Sequence, residues 1–222
     1  MLEVISVDTG AGLSDEAFSA LSCLVSPEKN ERLSKSRHRR GAVNSLIGEI
    51  IARNLICVHT GIANKELSIL TDRHGKPHPA NTPDVHFNIS HSKDLVVCAI
   101  SDRPVGVDIE IVRAHKPAVA KRFFHEDEQQ FMTTASDGSD KGFFMIWTMK
   151  ESFVKWQGKG LSKTLDSFNV FEIVQQGKPI FHYVDVRPNA CCHICSDSSD
   201  VDQNKHYTLD EYIRELHINQ NI

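Results

Sequence analysis

The chain has 222 residues with 40% hydrophobic side chains, enough for one large domain or two small ones with a packed core. Its 29 acidic and 25 basic side chains leave a net charge of -4, which argues against duplex nucleic acid or an anionic membrane surface as a partner. The opening MLEVISVDTG has neither the basic start nor the apolar core of a secretory signal, and no run reaches the roughly 18 apolar residues of a membrane span. The expected setting is the cytoplasm, in keeping with reduced cysteines.

In chain order, LEVISV reads as a first strand, and Ser14 before Asp15 and Glu16 as the cap of a helix through Leu21. A second helix is expected after Ser26 and Pro27. Residues 29 to 40 hold Lys29, Arg32, Lys35, Arg37, His38, Arg39 and Arg40, either a solvated face or a seat for a polyanion, with phosphate the first choice. Val43, Leu46, Ile47, Ile50, Ile51 and Leu55 follow helical spacing and predict a core helix over 42–57. His74 to Pro77 form a turn that carries Lys76, which is either solvated or aimed at an anion. VHFNISHSKDLVVCAIS predicts a hairpin with a polar corner from Ser90 to Asp94. Ser90 and His91 at that corner suit an ordinary polar turn or contacts to a phosphate; adjacent strand residues face opposite sides, and without a GxSxG elbow a serine hydrolase is excluded.

Arg103 and Pro104 mark a boundary between two halves, 1–103 and 104–222. Beyond it, VGVDIEIV alternates, with Val105, Val107, Ile109 and Ile111 on one face and Gly106, Asp108 and Glu110 on the other. The two carboxylates then stand about 7 Å apart at roughly 3.3 Å of rise per residue. They are either solvated or, joined by Glu151, an oxygen-only site for Mg²⁺. KRFFHEDEQQFM (121–132) reads as one amphipathic segment with exposed aromatics at Phe123 and Phe124, suited to core packing or to a partner protein. WTMKESFVKW predicts a partly buried helix stopped by Gly158 and Gly160, with Glu151 and Lys155 four residues apart on one face. Such a pair is commonly a surface ion pair, and the alternative is handling of a cation or proton.

SFNVFEIV and PIFHYVDV are expected as two strands around a turn at 176–178, followed by a loop from Ser196 to Gln203 and a closing helix over 209–216. NACCHICS, with Cys191, Cys192 and Cys195, reads as a late strand; no second CxxC pair is present to complete a zinc site, although His206 is a possible further ligand. Glu49 with Arg53 and Glu151 with Lys155, each on a helix followed by strands, hint at a duplicated α+β unit.

FNISHS (87–92), GVDIE (106–110) and W-x-x-K-E-x-x-x-K-x-x-G-x-G-L (147–161) together resemble the Sfp-like, surfactin-type 4'-phosphopantetheinyl transferases. SPEK at 26–29, GKP at 75–77 and KRFF at 121–124 extend the resemblance over most of the chain. It implies an α+β pseudo-dimer of two similar halves with coenzyme A and Mg²⁺ in the cleft between them. It implies Asp108, Glu110 and Glu151 as metal ligands, and Lys29, Arg32, Lys76, Ser90 and His91 around the phosphates. Lys155 would stand beside the reacting group and Glu151 would be the base. The partners implied are apo acyl or peptidyl carrier proteins, each modified on a serine with release of 3',5'-ADP, and the enzyme is expected to act as a monomer. Two positions depart from the pattern: Arg32 stands where relatives often carry Lys, and Asn44 where a phosphate-binding Arg is expected, a charge that Arg37, Arg39 or Arg40 would have to supply.

Overall fold

The computed structural model describes residues 1–10, 12–135, 138–158, 160 and 164–216. Seven alternating residues make β1 (Leu2–Asp8), and three helices follow: α1 (Asp15–Ser22), α2 (Pro27–Ser34) and α3 (Arg39–Thr60). Ser14 and Ser26 cap the first two by accepting from Ala17 N and Lys29 N, as expected of serine at that position. α3 ends on Gly61 in the left-handed region (φ 72°), where a residue without Cβ costs least. β2 (Ile69–Thr71) and β3 (Pro77–Pro79) form a small ribbon, and β4 (His86–Ser92) and β5 (Leu95–Ser101) a hairpin. β5 pairs antiparallel with β1, Leu2 opposite Ser101.

The second half repeats this plan. β6 (Val105–Ile111) is followed by α4 (Pro117–Phe123), α5 (Glu126–Thr134) and α6 (Ser139–Gln157), then by α7 (Val170–Gln176) and a hairpin of β7 (Ile180–Tyr183) and β8 (Ala190–Ser196). β8 pairs antiparallel with β6, Val105 opposite Ser196, as β5 does with β1. The sheet orders β4-β5-β1 and β7-β8-β6 are therefore equivalent, and the fold is an α+β pseudo-dimer. The first sheet gains one strand more, β9 (Gln203–Thr208), parallel to β1, before α8 (Leu209–Arg214) closes the described chain.

Strand parity sorts the core into layers. Val96, Cys98 and Ile100 face α3 with Leu46, Ile47, Ile50 and Ile51. Leu95, Val97, Ala99, Leu2 and Val4 face the second sheet, packing on Val105, Val107, Ile109 and Ile111. Cys191 and Cys195 point the other way, into the layer of α6 with Phe144, Phe153 and Val154. Both sheets thus bury both faces between two helices, and α3, long and apolar enough to cross a membrane by composition, is one of the two helical layers that flank them, with most of its surface buried.

Five expectations need correction. SFNVFEIV is not a strand: Asn169 Oδ1 caps the backbone N–H of Phe171 (2.8 Å), Val170 and Ile173 share the buried face, and Gly177 ends α7 in the left-handed region. The Ser196–Gln203 loop leads into β9, a polar strand that pairing with β1 creates. The polar corner is shorter than expected, because Ser90 and His91 belong to β4 and the turn is at Lys93 (φ 53°) and Asp94. KRFFHEDEQQFM is two helices, broken where Phe124 becomes extended and buried, stacked on Phe143 at 5.0 Å. The helix of the third motif begins earlier, at Ser139, and Leu161 at the motif's end lies outside the described residues.

Candidate active site at the seam between the halves

β6 contributes Gly106, Asp108 and Glu110 to its α6 side, as the alternation requires. A Cβ on Gly106 would lie 2.1 Å from the Ser152 carbonyl oxygen and 2.3 Å from the Trp156 nitrogen, so glycine lets α6 rest its backbone on β6. That contact sets the one helical face bearing Glu151 and Lys155 against Asp108.

Lys155 does not form a simple surface pair with Glu151. Its Nζ donates to Asp108 Oδ1 (2.6 Å), to Ser90 Oγ (3.1 Å) and to the Val107 carbonyl (3.0 Å). Ser90 in turn donates to Asp108 Oδ1 at 2.8 Å. Asp108 is buried, and its second oxygen, Oδ2, has no hydrogen-bond partner among the described residues. Burial pushes the Asp108 carboxyl up, against the pull of Lys155 and Ser90. Glu151 is likewise raised, first by burial and then by the negative charges of Asp108 and Glu110. Glu110 Oε2 accepts from Ser92 Oγ (2.7 Å) and from Arg113 Nη1 (2.8 Å). Asp108, Glu110, Glu151 and Lys155 are thus one electrostatic group where β4, β6 and α6 meet.

The phosphate candidates divide. Lys29 and Arg32 line a cleft of about 530 Å³ with Ser26, Glu49, Gly75 and Pro77, and Lys29 Nζ lies 3.2 Å from Glu49. His91 lies on β4, and partial desolvation, then the charge of Lys155, hold its imidazole below the usual range. Lys76 points elsewhere: its Nζ donates to the backbone carbonyls of Val105 (3.0 Å) and Lys155 (2.6 Å), and burial pulls its pKa down to about 8. Asn44 is a buried brace, accepting from Thr9 Oγ1 (3.0 Å) and donating to the Lys93 carbonyl (2.8 Å). Arg39 is held by Asp15 at 2.8 Å and lies over the Phe18 ring.

Glu49 pairs with Arg53 at 3.0 Å as well as with Lys29, so the first half's Glu/base pair closes on itself while the second half's opens toward β6. Residue reasoning missed Ser92, Asn88, Arg113 and Lys150. Lys150 is fully buried on Glu128 (2.9 Å) and on the carbonyls of Leu165 and Phe168. The polar residues at 88, 90 and 92, at every second position of β4, were the available signal.

Two hard carboxylates beside an orphaned, buried carboxylate oxygen match the donor type and charge of an oxygen-loving divalent cation. Among the described residues, however, no group of three or more His, Cys, Asp or Glu side chains is gathered closely enough to hold a metal. The cysteine segment fits the strand reading, with Cys192 facing one layer and Cys191 and Cys195 the other.

An α+β pseudo-dimer with such a charged group at its seam agrees with what sequence comparison finds. The 4'-phosphopantetheinyl transferase superfamily model matches residues 104–212, and that of the 4'-phosphopantetheinyl transferase N-terminal region matches residues 13–103. The 4'-phosphopantetheinyl transferase Sfp of Bacillus subtilis (strain 168) is 38% identical over 159 residues, 71% of each chain. The 4'-phosphopantetheinyl transferase gsp of Aneurinibacillus migulanus is 36% identical over 169 residues, covering 76% of this chain and 70% of the relative. The 4'-phosphopantetheinyl transferase HetI of Nostoc sp. is 29% identical over 160 residues, 70% and 64% of the two chains. The chain belongs to the 4'-phosphopantetheinyl transferase superfamily and is an enzyme of that class.

Proposed function

We propose that this enzyme transfers the 4'-phosphopantetheine arm of coenzyme A to a serine of apo acyl or peptidyl carrier proteins, with Mg²⁺, and releases 3',5'-ADP. The observation that carries the reading is the convergence of Asp108, Glu110, Glu151 and Lys155 at the seam. In the step, the carrier serine oxygen bonds to the phosphorus that bears pantetheine, and the bond from that phosphorus to the 3',5'-ADP oxygen breaks. Glu151, raised toward neutrality, accepts the serine proton directly or through a water. Lys155, already donating at the seam, stabilises charge on the phosphoryl oxygens. Asp108, Glu110 and Glu151 would hold Mg²⁺, which when bound neutralises pyrophosphate charge.

Lys29, Arg32, Ser90 and His91 would surround the phosphates, and Lys76 would join them by leaving its carbonyls. On this reading the first half, 1–103, carries nucleotide binding and the second, 104–222, metal binding and catalysis. Both halves lie in one chain, which supports a monomer. None of the six cysteines is in a disulfide, which supports a reducing cytoplasmic setting.

The test is to incubate the protein with coenzyme A, Mg²⁺ and a panel of apo carriers and to weigh each carrier. A gain of one phosphopantetheine arm is expected on at least one. Tight coenzyme A binding with no gain on any carrier would identify a catalytically silent relative instead, and 3',5'-ADP release without a carrier a hydrolase.

A further inference from the structure

In β6, the backbone groups of Val105, Val107, Ile109 and Ile111 point away from β8, because those of Gly106, Asp108 and Glu110 face it. Among the described residues no strand pairs its backbone with that outer edge, although β4 runs alongside it, and an open edge of buried N–H and C=O groups is costly. Side chains occupy it instead. Asn88 Oδ1 accepts from Val107 N (2.9 Å), Ser90 Oγ from Ile109 N (3.3 Å) and Ser92 Oγ from Ile111 N (3.1 Å). Lys76, Lys155 and Arg113 donate to the carbonyls of Val105, Val107 and Ile111. The equivalent edge of β1 is covered by an actual strand, β9.

The two serines do more than cap. Each accepts from the amide of one residue and donates to the carboxylate just before it: Ser90 to Asp108 (2.8 Å) and Ser92 to Glu110 (2.7 Å). A hydroxyl that receives a fixed N–H has its own proton aimed by that bond. We infer that Asn88, Ser90 and Ser92 form a side-chain ladder that joins the halves in place of strand pairing, and that Ser92 is thereby a positioning residue for Glu110. The second part rests on the metal role proposed above for Glu110. Arg113 shares the same Glu110 oxygen, so Ser92 holds the carboxylate in place as the charge around it changes.

Ser92→Ala and Ser92→Thr separate hydroxyl from packing. Titration of Mn²⁺ with coenzyme A present, followed by electron paramagnetic resonance, should show about tenfold weaker Mn²⁺ binding in Ser92→Ala, the loss of one hydrogen bond to a charged group. The Mg²⁺ needed for half-maximal transfer should rise in step, with kcat at saturating Mg²⁺ close to wild type, and Ser92→Thr should restore both. Unchanged Mn²⁺ affinity in Ser92→Ala, or Ser92→Thr as weak as Ser92→Ala, would overturn the role. Hydrogen exchange on the wild type decides the ladder without any variant: the amides of Val107, Ile109 and Ile111 should exchange as slowly as those of Gly106, Asp108 and Glu110, and fast exchange at all three removes it. A wild type that binds Mn²⁺ normally yet modifies no carrier defeats the transferase reading and leaves the ladder standing on its exchange result.

Discussion

His193 sits opposite Asp108 in the sheet, fully enclosed, its Nδ1 2.8 Å from Thr148 Oγ1 and its ring edge-on to Tyr183 at 5.4 Å. Burial drives its pKa from 6.5 down to about 4, so the native state carries it neutral. Between pH 6.5 and 4 the unfolded chain binds this proton and the folded chain does not; its contribution is complete above 6.5 and is lost as pH falls toward 4. The loss is on the order of 3 kcal/mol at about 1.4 kcal/mol per unit. Urea unfolding from pH 7 to 4.5 should therefore show a shallower acid loss for His193→Gln than for wild type, and equal slopes would contradict this. At this scale the sequence exposed type and spacing but not direction. The alternation of β6 correctly separated Asp108 and Glu110 from the valines, whereas no local pattern could show that Lys76 turns to two carbonyls or that Lys155 chooses Asp108, 47 residues away in the chain.

α6 and β6 meet through Gly106, where the helix backbone occupies the space a side chain would need. Gly106→Ala places its Cβ within 2.1 Å of the Ser152 oxygen, and backbone on both sides leaves no flexible group to yield. The expected cost is about 3 kcal/mol, at the upper end of overpacking. Transfer should fall further than stability, since the displaced helix carries both Glu151 and Lys155; wild-type urea midpoint and activity in this variant would refute the account. Elements with strong periodicity, β1, α3, β6 and α6, were legible because pattern and burial agree. α7 was not, because VFEIV is rich in strand-formers, and the Asn169 cap with Gly177 at the far end decides the outcome. β9 was hidden for the opposite reason: QNKHYT is polar and exposed, and only pairing with β1 makes it a strand.

Across the whole molecule, Lys76 is one of the first half's holds on the second, donating to Val105 at the start of β6 and to the end of α6. Its pKa of about 8 lies below the ordinary 10.5 of a lysine, so from pH 8 toward 10.5 the unfolded chain holds the extra proton and stability rises with pH. The stability difference between wild type and Lys76→Met should therefore move in favour of wild type as pH is raised from 7 to 9.5; a flat or reversed difference in chemical unfolding would refute it. The residues themselves only hinted at the duplication through two Glu/base pairs, and the family resemblance implied it, yet it governs the architecture: strand, three helices and hairpin recur in both halves. The three family motifs marked the seam because they contain its side chains, while the sheet-to-sheet packing that brings them together is distributed over apolar residues with no distinctive order.

Covering the β1 edge with β9 and the β6 edge with side chains has a consequence for inheritance. Backbone pairing tolerates almost any side chain, but a seam made of asparagine, serine and lysine is spelled out codon by codon. In a symmetric dimer of identical subunits, one substitution would alter two equivalent seams at once. In this fused chain the two edges are encoded separately: one was free to be sealed by an added strand, and the other to retain the polar residues on which a single active centre can evolve.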